Sequence, residues 1–153
     1  MKLNRRKFIR RLLVAIASVE AFFLIKMGVH KSHLTDVKNE WLHAGKADSF
    51  EKNKTYPFST GKFFLRRFED GGFLAISVRC THLGCVVNIN KDTGGFVCPC
   101  HASRFDKYGE VLSAPATRPL DIFPVKLENG ELYVDTSKPV RRKYFRKSQL
   151  AYA

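Results

Sequence analysis

Four cysteines fall in two short boxes, Cys80-Thr81-His82-Leu83-Gly84-Cys85 and Cys98-Pro99-Cys100-His101-Ala102-Ser103, and each box carries one histidine. The first offers a thiolate and an imidazole as C-x-H and the second as C-x-x-H, with fifteen residues between His82 and Cys98. Two sulfurs and two ring nitrogens can therefore converge on metal, which leaves one further cysteine in each box, Cys85 and Cys100. A structural zinc site also takes two Cys and two His in a tetrahedron, so a zinc-binding module is one reading. It gives no account of the second cysteine in each box, of Pro99, or of the Gly84 turn. A thiol-exchange centre fits less well, because the spacing is Cys98-Pro99-Cys100 and no C-x-x-C occurs.

The two boxes closely resemble those of the Rieske iron-sulfur family. The resemblance implies one [2Fe-2S] cluster, with Cys80 and Cys98 as thiolate ligands of one iron and His82 and His101 as imidazole ligands of the other. It also makes Cys85 and Cys100 a disulfide, the pairing that a matched leftover pair suggests. Replacing two thiolates by neutral histidines removes negative charge, so such centres span about −150 to +300 mV against about −400 mV for plant-type ferredoxins. The implied chemistry is one-electron transfer. Ser103 matches a serine whose hydroxyl donates to a bridging sulfide, whereas Phe105 stands where high-potential members have a tyrosine that donates to a ligand cysteine. With one donor missing, the expected potential is lower, suited to menaquinol or another low-potential donor. Ala102 replaces the usual glycine of the second box, and Ser113 to Pro119 replace a proline-rich loop that covers the cluster in respiratory forms.

These boxes need a scaffold, and at 153 residues the chain has room for one modest domain plus an anchor or tail. A large mononuclear-iron oxygenase domain does not fit. The net charge of +13 lies at the ends: six basic residues and no acids in 1–11, six and none in 138–153, and fifteen basic against fourteen acidic between them. A nearly neutral body excludes a basic nucleic-acid groove, so the terminal charge points to membrane or partner contacts.

Residues 1–11 contain Asn4-Arg5-Arg6-Lys7-Phe8-Ile9-Arg10, similar to a twin-arginine export signal, a route that carries folded, cofactor-loaded proteins. An apolar run of eighteen residues follows at 12–29, about the minimum for a hydrocarbon core of roughly 30 Å. No small-x-small cleavage pattern follows it, which predicts a retained transmembrane anchor with a cytoplasmic N-terminus and the remainder on the outer, periplasmic face. Glu20 within this run calls for a proton or for a polar contact on another membrane subunit, and Lys26 can snorkel outward. Residues 30–40 read as a hinge, whose His30 and His33 lack further ligands; His43 is likewise given no role.

The body, 41–137, reads as all-β, and the Rieske resemblance implies an antiparallel β-sandwich with a small cluster-binding subdomain. Leu74, Ile76 and Val78 alternate with Phe73, Ala75 and Ser77, as in a strand showing one face to a core. Asp70-Gly71-Gly72, Asp92-Thr93-Gly94-Gly95 and Asn129-Gly130 predict hairpin turns, the last between strands at 120–127 and 131–134. Residues 138–153 read as a basic tail, either solvated or bound to anionic headgroups or an acidic subunit.

With these features, the Rieske resemblance implies the iron-sulfur subunit of a membrane quinol-oxidising complex, not catalytic alone. It would take a proton-coupled electron from quinol beside a cytochrome b-type subunit and pass it to a cytochrome c-type acceptor, with no nucleic-acid partner. His101, with His82, is the expected quinol contact, and Leu83 the exposed aliphatic beside it. The rival is a relay subunit of an arsenite oxidase-type molybdenum enzyme.

Overall fold

The computed structural model describes residues 4–32 and 41–152, apart from the side chains of 24–32. Two units separate, 1–38 and 39–153.

The first unit contains helix α1, Arg5–Ser32, whose sequence up to Met27 contains no glycine or proline to interrupt it. The helix covers the predicted span 12–29. Its apolar side chains from Phe8 to Phe23 are exposed. Among the described residues, no helix is long and apolar enough to cross a membrane; the predicted span runs past Phe23, beyond the described side chains. The first three residues of the predicted hinge are helical, and 33–40 lie outside the described residues.

The second unit is all antiparallel. Its strands are β1 (Trp41–Lys46), β2 (Thr55–Phe58), β3 (Phe63–Arg67), β4 (Phe73–Ser77), β5 (Asn88–Ile89) and β6 (Phe96–Val97). They continue with β7 (Arg104–Phe105), β8 (Val111–Ser113), β9 (Ile122–Phe123), β10 (Val125–Glu128) and β11 (Glu131–Asp135). Three sheets result, ordered β1-β11-β10, β2-β3-β4-β9 and β5-β6-β7-β8. All three predicted turns close hairpins: β3 pairs with β4, β5 with β6, and β10 with β11. At the last, Asn129 and Gly130 both have positive φ, +52° and +78°, the combination a two-residue hairpin turn needs.

Strand β4 departs from the expected one-sided burial, since all five of its residues are buried. Its alternation instead sorts side chains between two cores. Leu74 and Ile76 join Phe64, Phe96, Phe105 and the cysteines Cys80 and Cys98, while Phe73 and Ala75 join Phe63, Leu65, Leu132 and Val134. The sheet containing β4 is thus the middle layer, packed on both faces. Buried Arg66 of β3 ties the layers together, donating to Thr55 Oγ1 of β2 at 2.8 Å and to the Gly94 carbonyl of the β5–β6 turn at 3.0 Å.

Two boundaries differ from expectation. The strand predicted over 120–127 is broken at Pro124, which has no N–H to give a ladder, so β9 pairs with β4 and β10 with β11. The C-terminal segment is not a free solvated tail. Val140 forms an antiparallel bridge with Ile122, Ala151 one with Phe73, and the buried Arg142 donates to the Leu120 carbonyl at 2.9 Å. Non-local pairing, invisible to a reading of local composition, overrides its charge.

Candidate metal centre

Each cysteine box is the tip of a hairpin. The first sits where Arg79 and Val86 form an isolated bridge, with the Val87 N–H on the Val78 carbonyl at 2.8 Å. The second joins β6 to β7. Both tips make the same backbone turn. The Cys80 N–H donates to the Cys85 carbonyl (2.7 Å) and the Gly84 N–H to the Cys80 carbonyl (2.9 Å). In the second box the Cys98 N–H donates to the Ser103 carbonyl (2.8 Å) and the Ala102 N–H to the Cys98 carbonyl (3.0 Å). The fourth residue after each leading cysteine is left-handed, Gly84 at φ +78° and Ala102 at +60°. Ala102 therefore holds a conformation that costs an L-residue with a Cβ about 1–2 kcal/mol and glycine almost nothing.

The repeated turn aims equivalent groups at one point. Cys80 and Cys98 are buried free thiols, 3% and 1% exposed, and face each other within hydrogen-bond reach. Burial pushes the Cys80 thiol up, against the His82 backbone N–H and the Ser103 hydroxyl, which both favour the thiolate. The His82 and His101 rings lie with centroids 5.0 Å apart and planes at 89°, His101 exposed and His82 partly so. Cys85 and Cys100 form a disulfide that clasps the two tips. Their sulfurs and that of Cys98 lie within 4.8 Å of one another, but only Cys98 among these three offers a thiolate.

This donor set fits a metal cluster. Two buried sulfurs, of which burial holds the Cys80 thiol protonated until a cation neutralises it, and two outer imidazoles make a mixed sulfur and nitrogen set.

A third loop, 114–119, closes over both tips. The Ala116 N–H donates to Ser103 Oγ at 3.1 Å, and Thr81 Oγ1 donates to the Arg118 carbonyl at 2.6 Å. The Ala114–Pro115 peptide in this loop is cis. Ser103 is fully buried, and Phe105 of β7, 1% exposed, packs in the same core as Cys80 and Cys98. The roles of Thr81, Arg118 and Ala116 escape a reading of the sequence because each acts through a backbone group distant in the chain. The repeated turn was legible, since Gly84 and Ala102 both stand four residues after a cysteine.

A family model for the Rieske [2Fe-2S] domain matches residues 40–124. This chain belongs to the Rieske family. The Rieske domain binds a [2Fe-2S] cluster, which replaces the structural zinc reading and accounts for the second cysteine in each box. The cytochrome b6-f complex iron-sulfur subunit of Chlorobaculum tepidum is 29% identical over 137 residues, 86% of this chain and 75% of that one. The menaquinol:cytochrome c reductase iron-sulfur subunit of Geobacillus thermodenitrificans is 40% identical over 75 residues, 46% of this chain and 44% of its own length. Among solved structures, the plasma membrane Rieske protein of the cyanobacterium Synechocystis PCC 6803 is 32% identical, with a TM-score of 0.50, covering 61% of this chain and 97% of that one.

Proposed function

We propose that this Rieske chain is the iron-sulfur subunit of a membrane quinol:cytochrome oxidoreductase, in which it takes one electron and a proton from quinol. Cys80 and Cys98 would hold one iron and His82 and His101 the other, with Cys85–Cys100 locking the ligand loops. The bound cluster supplies a one-electron redox centre. The observation that carries the reading is the exposed tip, where His101 and Leu83, the latter 70% exposed, share their loops with the two buried thiols Cys98 and Cys80. Relatives named as cytochrome b6-f and menaquinol:cytochrome c reductase subunits support it.

In this reading the outward ring nitrogen of His101 accepts the quinol hydroxyl's hydrogen bond and then its proton. His82, set perpendicular to it and less exposed, fills the second imidazole position. Leu83 offers an apolar contact to the quinol-binding subunit, which would be a b-type cytochrome. Loop 114–119 keeps water from Cys80 and Cys98, and Ser103 donates its hydroxyl towards the sulfur of Cys80.

Helix α1, with the basic residues of its first turns, serves as the uncleaved anchor and twin-arginine signal, which puts the Rieske domain on the periplasmic face. The apolar run 12–29 and the positive-inside charge support this. The Rieske domain then passes its electron to a c-type cytochrome. Solubilising native membranes mildly and isolating the complex through this chain tests the reading. Co-purifying b-type haem, with cluster reduction by added quinol seen by electron paramagnetic resonance, is the expected result; a molybdopterin subunit in its place overturns it.

A further inference from the structure

Residues 138–152 carry six cations and no acid. The structure holds this segment against the domain at successive points. Val140 bridges Ile122, Arg142 donates to the carbonyls of Leu120 and Tyr108, Phe145 lies on the Tyr108 ring (centroids 4.3 Å apart), and Ala151 pairs with Phe73. Arg142 is thereby spent on the interior. The other five, Lys138, Arg141, Lys143, Arg146 and Lys147, remain exposed. Among the described residues the one acid paired with them is Asp70, at 3.9 Å from Lys147. Val140 and Tyr144 stand between these cations and Tyr152 follows them, 44%, 51% and 45% exposed. The end of the strip lies by the β3–β4 turn, at the opposite end of β4 from Cys80, so that end can be covered with His82 and His101 still free.

We propose that this folded strip is a contact surface for anionic phospholipid headgroups. Spaced cations with almost no fixed acceptors suit a diffuse negative surface, and the exposed tyrosines Tyr144 and Tyr152 beside them suit the headgroup boundary, where an apolar ring and a polar tip are both accommodated. An acidic protein surface would be matched by a larger apolar centre; here the apolar side chains are scattered singly. Because Arg142 and the two strand bridges have already ordered the segment, binding loses little chain entropy. Each cation brought to an anionic leaflet contributes about fivefold in affinity, an effect that salt screens. The inference rests on the membrane setting proposed above, but its test does not depend on the anchor.

The test uses the full, cluster-loaded chain with vesicles of phosphatidylcholine alone or mixed with phosphatidylglycerol, reading amide hydrogen exchange at 138–152. Slower exchange of this segment with phosphatidylglycerol vesicles only, abolished by high salt and by changing the five exposed cations to Glu, is the expected result. A set changed to Gln, checked for an unaltered cluster spectrum, covers the case in which the Glu set does not fold. Equal exchange with both vesicles, or protection by soluble polyglutamate but not by lipid, overturns the proposal. Flotation with phosphatidylcholine vesicles in high salt, to which the strip contributes nothing, tests the anchor separately.

Discussion

Ser103 and Ala116 are thirteen residues apart, and the Ala116 N–H donates to Ser103 Oγ at 3.1 Å in the buried floor of the centre. The hydroxyl hydrogen of Ser103 is thereby left for the sulfur of Cys80, whose thiolate it favours. One small side chain thus positions the covering loop and tunes a ligand. Ser103→Ala should lose both. An unsatisfied buried N–H costs about 1–3 kcal/mol, and loss of a donor to the electron-rich site lowers its potential. Thermal melting and a redox titration check the two effects, and an unchanged potential would reject the tuning role.

Phe105 lies buried in the same core as Cys80 and Cys98. Phe105→Tyr should raise the midpoint potential by supplying a donor that stabilises the reduced form. A lowered or unaltered potential, in a variant with an intact cluster signal, rejects this expectation.

Ala102 sits at φ +60° in the turn that Gly84 occupies in the other box. Ala102→Gly should therefore stabilise the domain by about 1 kcal/mol, with the reverse change, Gly84→Ala, destabilising it comparably. Both are read as opposite shifts of melting temperature, each about 4–8 °C for a domain of this size.

A Cβ on Gly95 would meet the Phe105 carbonyl at 2.3 Å and the Asp106 backbone at 3.2 Å. No rotamer relieves a clash with main chain. Gly95→Ala should push β6 from β7, cost at least about 2 kcal/mol, and loosen the second ligand loop; cluster content per chain after purification measures it.

Asp70 accepts the Gly72 N–H and, next in weight, the Tyr152 hydroxyl, which together hold its carboxyl below the ordinary range. A depressed folded pKa contributes stability above the unfolded value of about 3.9, and loses it as pH falls through the folded one. Asp70→Asn should therefore flatten the acid limb of the stability profile between those values. Parallel limbs in acid titrations of the two proteins would refute this.

The candidate metal donors were legible in the sequence because ligand chemistry is local: C-x-H and C-x-x-H place thiolate and imidazole in one turn whatever surrounds them. The hairpins were legible for the same reason, since Asn129-Gly130 and Asp70-Gly71-Gly72 supply the backbone freedom that tight turns require. Burial on both faces of β4 was not. Alternation reports that a strand has two faces, whereas only the stacking of a second layer decides that Phe73 and Ala75 face a core as surely as Leu74 and Ile76 do. Nor was the fate of residues 138–152, whose composition reads as solvated although Arg142 and Ala151 are captured by carbonyls of Leu120 and Phe73. The amino-acid sequence alone determined which atoms can hold metal and where the chain turns. The tertiary structure decided which surfaces are buried and what supports the ligands, because those depend on hydrogen bonds and packing between residues that spacing along the chain does not relate.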